Sequence, residues 1–272
     1  MKMRPLIDAD ILTYQAAFGG EDRETGEIHS FDYVAALVDK AITDICLAVG
    51  ADEEPTLYLT GDNNFREEVA VSKPYKGNRS KPKPFHYKNV RAYLMSFPNT
   101  VVTEGIEADD AMSIEQTRNM ELSYHFNDDP QYYSYTIICT RDKDLRMVPG
   151  WHYGWEHGAQ AEFFKQYVDP LGKLEYDSEK NKISGTGYLF FCSQLITGDT
   201  VDNIPGLPKK GAKAAFTLLK DATSEEEALG LVKGMYEEVV GEGWESYLLE
   251  QGRLLWMVRE VDEEGKPVMW RF

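Results

Sequence analysis

The chain has 272 residues, with 46 acidic and 29 basic side chains and a formal charge of −17. That length can bury a substantial core, and a composition of 42% hydrophobic and 12% aromatic residues excludes a disordered, charge-dominated chain. No apolar run approaches the roughly 18 residues of a membrane span, and no signal-type stretch follows Met1-Lys2-Met3-Arg4. Cys46, Cys139 and Cys192 form neither a disulfide framework nor a CxxC metal pattern, so a soluble protein of a reducing cytoplasm is expected, with no membrane partner.

In chain order, Arg4 to Ala9 (RPLIDA) reads as a short buried strand ending in carboxylates. Thr56 to Thr60 (TLYLT) and Thr136 to Cys139 (TIIC) repeat the design, and Thr100 to Thr103 is a fourth strand. Helical patterns lie between them at Tyr33–Val49, Lys88–Phe97 and Ala108–Tyr124. This alternation predicts an α/β fold with a mainly parallel central sheet flanked by helices. Ligands of such sheets sit beyond the carboxyl ends of the strands, which is where Asp8, Asp62 and Asp142 fall. Trp151–Trp155 (WHYGW) alternates and reads as an edge strand with one packed face. Gly158–Gly187 is polar and rich in turn signals, an irregular excursion with room for a hairpin. From Tyr188 onward the pattern is helical, at Tyr188–Thr197, Pro208–Leu219, Ser224–Val240 and Trp244–Val258, with Ser224 and Glu227 spaced as a capping box. The expected division is an α/β core over 1–187 and a helical region over 188–272.

Charge is unevenly placed. Val69–Thr103 has no acid but carries Lys73, Lys76, Arg79, Lys81, Lys83, Lys88 and Arg91, and Asn203–Lys220 likewise carries only Lys209, Lys210, Lys213 and Lys220. Two basic islands in an acidic protein suit local contact with a polyanion; solvated loops are the plainer explanation. The acids that matter come in five groups: Asp8 with Asp10, Asp62, Glu107–Asp110, Asp142 with Asp144, and Asp199 with Asp202. Alone, Glu107, Asp109 and Asp110 can open a helix, Asp202 can be a turn or cap, and Asp62, Asp142 and Asp144 can be solvated turns. Together at one sheet edge they would repel one another, a cost that hard divalent cations with oxygen ligands relieve. The five histidines are scattered, which gives no support to a zinc hydrolase or a Ser-His-Asp triad. All-oxygen metal chemistry beside basic islands points to phosphodiester hydrolysis.

Six strings in order then become recognisable: Leu6-Ile7-Asp8; Gly61-Asp62 with Phe65-Arg66; Tyr75-Lys76-Gly77-Asn78-Arg79; Gly105-Ile106-Glu107-Ala108-Asp109-Asp110; Thr140-Arg141-Asp142-Lys143-Asp144; and Gly198-Asp199-Thr200-Val201-Asp202-Asn203-Ile204-Pro205-Gly206 running into Gly211-Ala212-Lys213. With them the chain resembles the 5′-nuclease superfamily of flap endonucleases and 5′–3′ exonucleases, and the phage 5′–3′ exonucleases most of all. The resemblance implies a PIN-like nuclease core and a C-terminal helix-three-turn-helix. It also implies metal-dependent, two-ion hydrolysis with Mg²⁺ or Mn²⁺, leaving 5′-phosphates. Asp8, Asp62, Glu107, Asp109 and Asp110 would lean to the tighter ion, and Asp142, Asp144, Asp199 and Asp202 to the weaker one. Lys76 and Arg79 would face the scissile phosphate, and two cations at i, i+3 can share a helix face.

The same resemblance implies DNA contacts at Tyr75, Lys81, Lys83, Gly206, Lys209, Lys210, Gly211 and Lys213. It adds a K⁺ ion at the helix-three-turn-helix, where this chain has Lys209-Lys210-Gly211 in place of the usual Gly-x-Gly. The expected partner is DNA with a 5′ end or flap, or an RNA–DNA hybrid, bound by a monomer acting in phage replication or primer removal. Tyr14, Phe65 and Tyr75 could stack on bases, although core positions are the expectation for Tyr14 and Phe65. Cys139 reads as a buried small residue and Asp10 as an extra acid. The competing readings are a PIN-type RNA nuclease and a DNA-binding module without catalysis.

Overall fold

Asp8 ends the first strand and starts the first helix. β1 (Arg4–Asp8) runs straight into α1 (Ala9–Gly19), whose Ile11 N–H donates to the Asp8 Oδ1 at 3.1 Å. The computed structural model describes residues 2–22, 24–79, 82–126 and 135–272. After α1 come α2 (Phe31–Val49), β2 (Thr56–Leu59), α3 (Phe65–Val69), α4 (Tyr87–Met95), β3 (Thr100–Val102), α5 (Ala108–Phe126) and β4 (Thr136–Cys139). A 3-10 turn (Asp144–Met147) then precedes β5 (Gly150–Gly154), β6 (Phe163–Val168), β7 (Lys173–Asp177) and β8 (Lys182–Thr186). The remaining elements are α6 (Gly187–Thr197), α7 (Ala212–Leu219), α8 (Glu225–Val240) and α9 (Trp244–Leu255).

The chain forms two compact units. One comprises Met1–Asn63, Ser80–Lys143 and Gly150–Tyr167; the other comprises Asn64–Arg79, Asp144–Pro149 and Val168–Phe272. The first unit is built on a sheet of order β3-β2-β1-β4-β5-β6, and the pairings from β3 through β5 are all parallel. The chain fills one side of β1 with β2 and β3 and then returns to its other side with β4. The strand order therefore reverses between β1 and β4, which is where α/β sheets open a crevice. Ile7, Leu57, Leu59, Ile137 and Cys139 pack against α1, α2 and α4, through Leu12, Val34, Val38, Val90 and Leu94 among others. The alternate residues Leu6, Tyr58 and Ile138 are buried on the other face, and α5 packs on β1, β2, β4 and β5.

In the second unit, β7 and β8 form an antiparallel hairpin, and Tyr176 on it stacks on Phe216 of α7 at 5.6 Å. α6 is buried from Gly187 to Ile196. Arg66 is fully buried and donates to the carbonyls of Leu254 and Trp256 at 2.9 and 2.8 Å. Among the described residues no helix is long and apolar enough to cross a membrane.

The α/β class, the four strands of the first half and their mainly parallel pairing agree with expectation. Four details differ. α1 is an addition: the sequence pattern runs β1 into a turn at Asp8, whereas Asp8 caps a helix there. β5 lies between β4 and β6 rather than at an edge, and its residues are buried on both faces except Trp151. α7 starts at Ala212, not Pro208, since Lys209 takes a left-handed φ of 61° that breaks the helix. Ser224 caps α8, but Glu227 accepts from the N–H and hydroxyl of Thr223 instead of closing a reciprocal box.

Gly61 follows β2 by two residues, and a Cβ there would lie 1.9 Å from the Thr103 carbonyl oxygen. Gly61→Ala is expected to lower stability by about 1–3 kcal/mol. Gly230→Ala, in open space on α8, is expected to raise it by about 0.5–1 kcal/mol. Paired thermal melts check both signs.

Candidate active site

In the first unit, acids gather where the strand order reverses. Asp8 is buried, accepts from Ile11 N–H, and accepts from the Thr140 hydroxyl at 2.8 Å. The same hydroxyl oxygen accepts from the Asp142 N–H at 2.9 Å, so Thr140 ties the end of β1 to the turn after β4. Burial pushes the Asp8 carboxyl up to about 7; Asp10 adds repulsion, Thr140 and Ile11 oppose it, and Asp142 adds a further push. Asp10 is raised as well, by burial first. Thr60 and Arg91 hold it down, while Glu107 repels it. At the start of α5, Asp110 is fully buried and accepts from the Glu107 N–H at 3.1 Å, half of a capping box. Glu107 is buried and Asp109 half-buried. Asp62 is exposed, in a turn where its backbone carbonyl accepts from Gly105 N–H.

In the second unit, the remaining acids are drawn into the protein's own contacts. Asp144 accepts from the Gln194 amide at 2.5 Å. Asp199 is buried, pairs its backbone with Ile204, and accepts from the Val201 N–H at 2.7 Å. Asp202 receives the Tyr75 hydroxyl at 3.0 Å, Arg79 at 2.7 Å and the Lys76 ammonium at 3.7 Å. Lys76 N–H donates to the Asp202 carbonyl, Asn78 to the Thr200 carbonyl and Asn203 to the Pro74 carbonyl. Residues 75–78 form a turn, with Lys76 at φ 52°. Lys76 and Arg79 are therefore not on a helix face as expected; the turn still brings both to one carboxylate.

Of the residues expected at DNA, Lys81 lies outside the described residues. Lys83 is exposed, with its ammonium 4.1 Å from the centre of the Tyr87 ring. Tyr14 packs on Tyr87 at 4.9 Å and is 40% exposed, as is Phe18, so Tyr14 is a surface aromatic and not core. Phe65 is half-buried under the Arg66 guanidinium. Cys139 is fully buried. Lys209, Gly211 and Lys213 are exposed around the start of α7 and Lys210 is half-buried. Gly206 is buried; its N–H donates to Gln251 and its carbonyl accepts from Tyr247 at 2.7 Å, so that carbonyl already has a partner inside the protein.

Sequence reasoning gives no site role to Thr60, Thr140 or Gln194, and places Arg91 only in a basic island. For the threonines a signal exists: Thr60-Gly61-Asp62 and Thr140-Arg141-Asp142 put the same Thr-x-Asp just after β2 and β4. Among the described residues no three His, Cys, Asp or Glu side chains converge as a group that could hold a metal ion. The donor chemistry of the first unit, oxygen throughout, nevertheless suits a hard divalent cation. Such an ion would relieve the repulsion among Asp8, Asp10, Asp142 and Glu107.

No protein-family profile matches the chain. The solved structure of phage T5 5′-exonuclease with bound zinc superposes over 92% of this chain and 88% of its own, with a TM-score of 0.55 at 17% identity. The fold is that of the T5 5′-exonuclease. A phage T5 flap endonuclease variant, solved as a pseudo-enzyme-product complex with DNA and metal ions, covers 93% of this chain and 99% of its own at TM-score 0.51 and 13% identity. In sequence, the chain is 27% identical over 180 residues to a 5′-3′ exonuclease of Buchnera aphidicola subsp. Baizongia pistaciae, a match that takes in 62% of this chain and 50% of that relative. The chain thus spans about half the length of the curated relative it matches. The resemblance to the 5′-nuclease superfamily read from the motifs is present in sequence and in fold.

Because the folded Asp8 pKa lies above its ordinary value of 3.8, the fold binds this proton more tightly than the unfolded chain does. In chelator, Asp8 therefore favours the fold most below pH 4, and that contribution falls as pH rises toward 7. Asp8→Asn is expected to be more stable than the parent at pH 8 by roughly 2–4 kcal/mol, the difference shrinking toward pH 4. Urea denaturation across that range checks the slope.

Proposed function

We propose that the chain is a divalent-cation-dependent 5′-nuclease, hydrolysing DNA phosphodiesters at a 5′ end or flap and leaving 5′-phosphates. The observation that carries this reading is the buried Asp8 at the strand-order reversal, with Asp10 and Asp142 close enough to repel it. The likeness in fold to phage T5 5′-exonuclease and in sequence to a 5′-3′ exonuclease supports the class. In this reading the cofactors are two Mg²⁺ or Mn²⁺ ions, the tighter one held by Asp8, Asp62, Glu107, Asp109 and Asp110. Bound divalent ions supply an acidified water and positive charge for the attacking and leaving oxygens.

The chain's own residues do the rest. Thr140 ties the Asp8 carboxylate to the backbone of Asp142, limiting how far the turn after β4 can drift from the end of β1. Lys76 and Arg79 exchange Asp202 for a phosphate and offset the charge that develops there. Lys83 and the exposed Tyr14 meet the opened strand end, the ring supplying stacking, and Tyr75 in the second unit is a further DNA contact. Lys209, Lys210, Gly211 and Lys213, in the helical region 188–272, hold duplex backbone through charge and the N–H groups of α7. The biological role is 5′–3′ degradation or primer removal in phage replication, by a monomer in the host cytoplasm.

The test uses a duplex with a labelled 5′ flap and a blunt duplex, each with Mg²⁺ and with EDTA. Cutting from the 5′ side in Mg²⁺ alone is expected, and product lengths separate exonuclease from flap endonuclease. Asp142→Asn and Asp109→Asn are expected to abolish cutting but retain flap binding. Lys76→Ala is expected to slow cutting by about 10²-fold or more with a smaller loss of affinity. Tight flap binding without cutting in any divalent ion would favour the binding-module reading, and cutting of RNA alone the PIN-type one.

A further inference from the structure

Asp10 stands two residues from Asp8 and invites assignment as one more metal ligand, but its contacts are of another kind. It accepts from the Thr60 N–H at 2.9 Å and from the Arg91 guanidinium at 3.2 Å. Arg91 uses a second nitrogen on the Thr60 carbonyl, and the Thr60 hydroxyl oxygen accepts from the Ala108 N–H at 2.9 Å. Both backbone groups of Thr60 and its side chain are thus engaged. Asp10 and Arg91 are 28% and 22% exposed at their side chains, so the pair is half-buried. Four elements meet here: α1 through Asp10, the end of β2 through Thr60, α4 through Arg91, and the start of α5 through Ala108. Asp8 lies two residues before Asp10, Asp62 two residues after Thr60, and Glu107 and Asp109 either side of Ala108.

From this juxtaposition we propose that Asp10 and Arg91 are positioning residues, a clamp on Thr60 that sets the spacing of Asp8, Asp62, Glu107 and Asp109 for a divalent cation, and that Asp10 is not itself a ligand. The proposal rests on the cation-dependent nuclease reading and adds two residues to its machinery. Arg91 gives the clamp its logic. A cation on Asp10 would sit against the guanidinium charge already paired with that carboxylate and would bind more tightly without it, whereas a clamp needs the guanidinium in place. Removing Arg91 therefore has opposite consequences under the two roles.

The experiment is calorimetric titration of the intact chain with Mn²⁺ in the absence of DNA, beside steady-state cleavage of the flap duplex and a thermal melt of each variant. As a clamp, Asp10→Ala and Arg91→Ala should each weaken Mn²⁺ binding by about tenfold, as loss of a ligand's supporting partner does. Their kcat should fall while KM for the flap holds. Asp10→Asn keeps an acceptor for Thr60 N–H and should stay within about threefold of the parent in Mn²⁺ affinity. Arg91→Lys, with one ammonium in place of a fork, should fall between, and carries the test with Asp10→Asn if the alanine variants do not fold. Unchanged or tighter Mn²⁺ binding in Arg91→Ala, with Asp10→Asn as weak as Asp10→Ala, would make Asp10 a ligand and overturn the proposal. Absence of Mn²⁺ binding in the unaltered chain would overturn the nuclease reading, and the clamp with it.

Discussion

Asp8 is buried where a strand stops and a helix begins, and it has to satisfy three demands at once. As a cap it must face the Ile11 N–H; as a neighbour of β4 it must receive the Thr140 hydroxyl; as a carboxylate next to Asp10 and Asp142 it must tolerate repulsion. Burial makes these demands expensive to meet, because a charge away from water is costly unless it is hydrogen-bonded or paired. The strand order concentrates the problem, since it places the end of β1 directly beside the end of β4. The hydroxyls of Thr60 and Thr140 answer it in parallel ways. Thr140 joins Asp8, the last residue of β1, to the backbone of Asp142, and Thr60 joins Asp10, two residues on, to the start of α5.

The second unit handles its acids by a different route. Asp202 is surrounded by Tyr75, Lys76 and Arg79, three residues more than 120 positions away in the chain. Backbone contacts on both flanks reinforce the pairing, so the two loops are held by neutral hydrogen bonds as well as by charge. Arg79 is more than half exposed, so its own pairing with Asp202 contributes modestly and is open to competition by other anions. A loop held this way is ordered yet exchangeable, which suits residues whose proposed partner is a phosphate.

The sequence made the strands legible because each is a short apolar run with acids close behind it, and the parallel order follows from the helices between them. Asp8, Asp62 and Asp142 could be placed at strand ends for the same reason. Capping at Asp8 was hidden by its other role, since a residue read as chemistry was not also read as the start of α1. Tyr14 shows a limit of periodicity: its spacing suits either face of α1, and only the neighbouring Tyr87 and Phe18 decide that the ring lies at the surface. Lys76 and Arg79 were misplaced onto a helix because i, i+3 spacing also occurs in a turn, and the left-handed Lys76 is not a residue type that announces one. The Asp202 pairings and the Arg91–Asp10 contact join segments far apart in sequence, and no local pattern encodes them.

The buried Arg66 carries a consequence for how the chain is made. Its acceptors, the carbonyls of Leu254 and Trp256, lie 188 and 190 residues downstream. At typical synthesis rates the guanidinium waits roughly 10–40 s for them. The second unit gathers Asn64–Arg79 and Asp144–Pro149 around a stretch that begins only at Val168, so its closure is a late, non-local event. The first unit can already pair β1 with β2 and β4 while the nascent segment around Arg66 is still unburied. A stalled or truncated product would thus display an ordered sheet carrying most of the acids, together with a cationic segment lacking its partners, and that exposed segment is the natural target for chaperones and proteases.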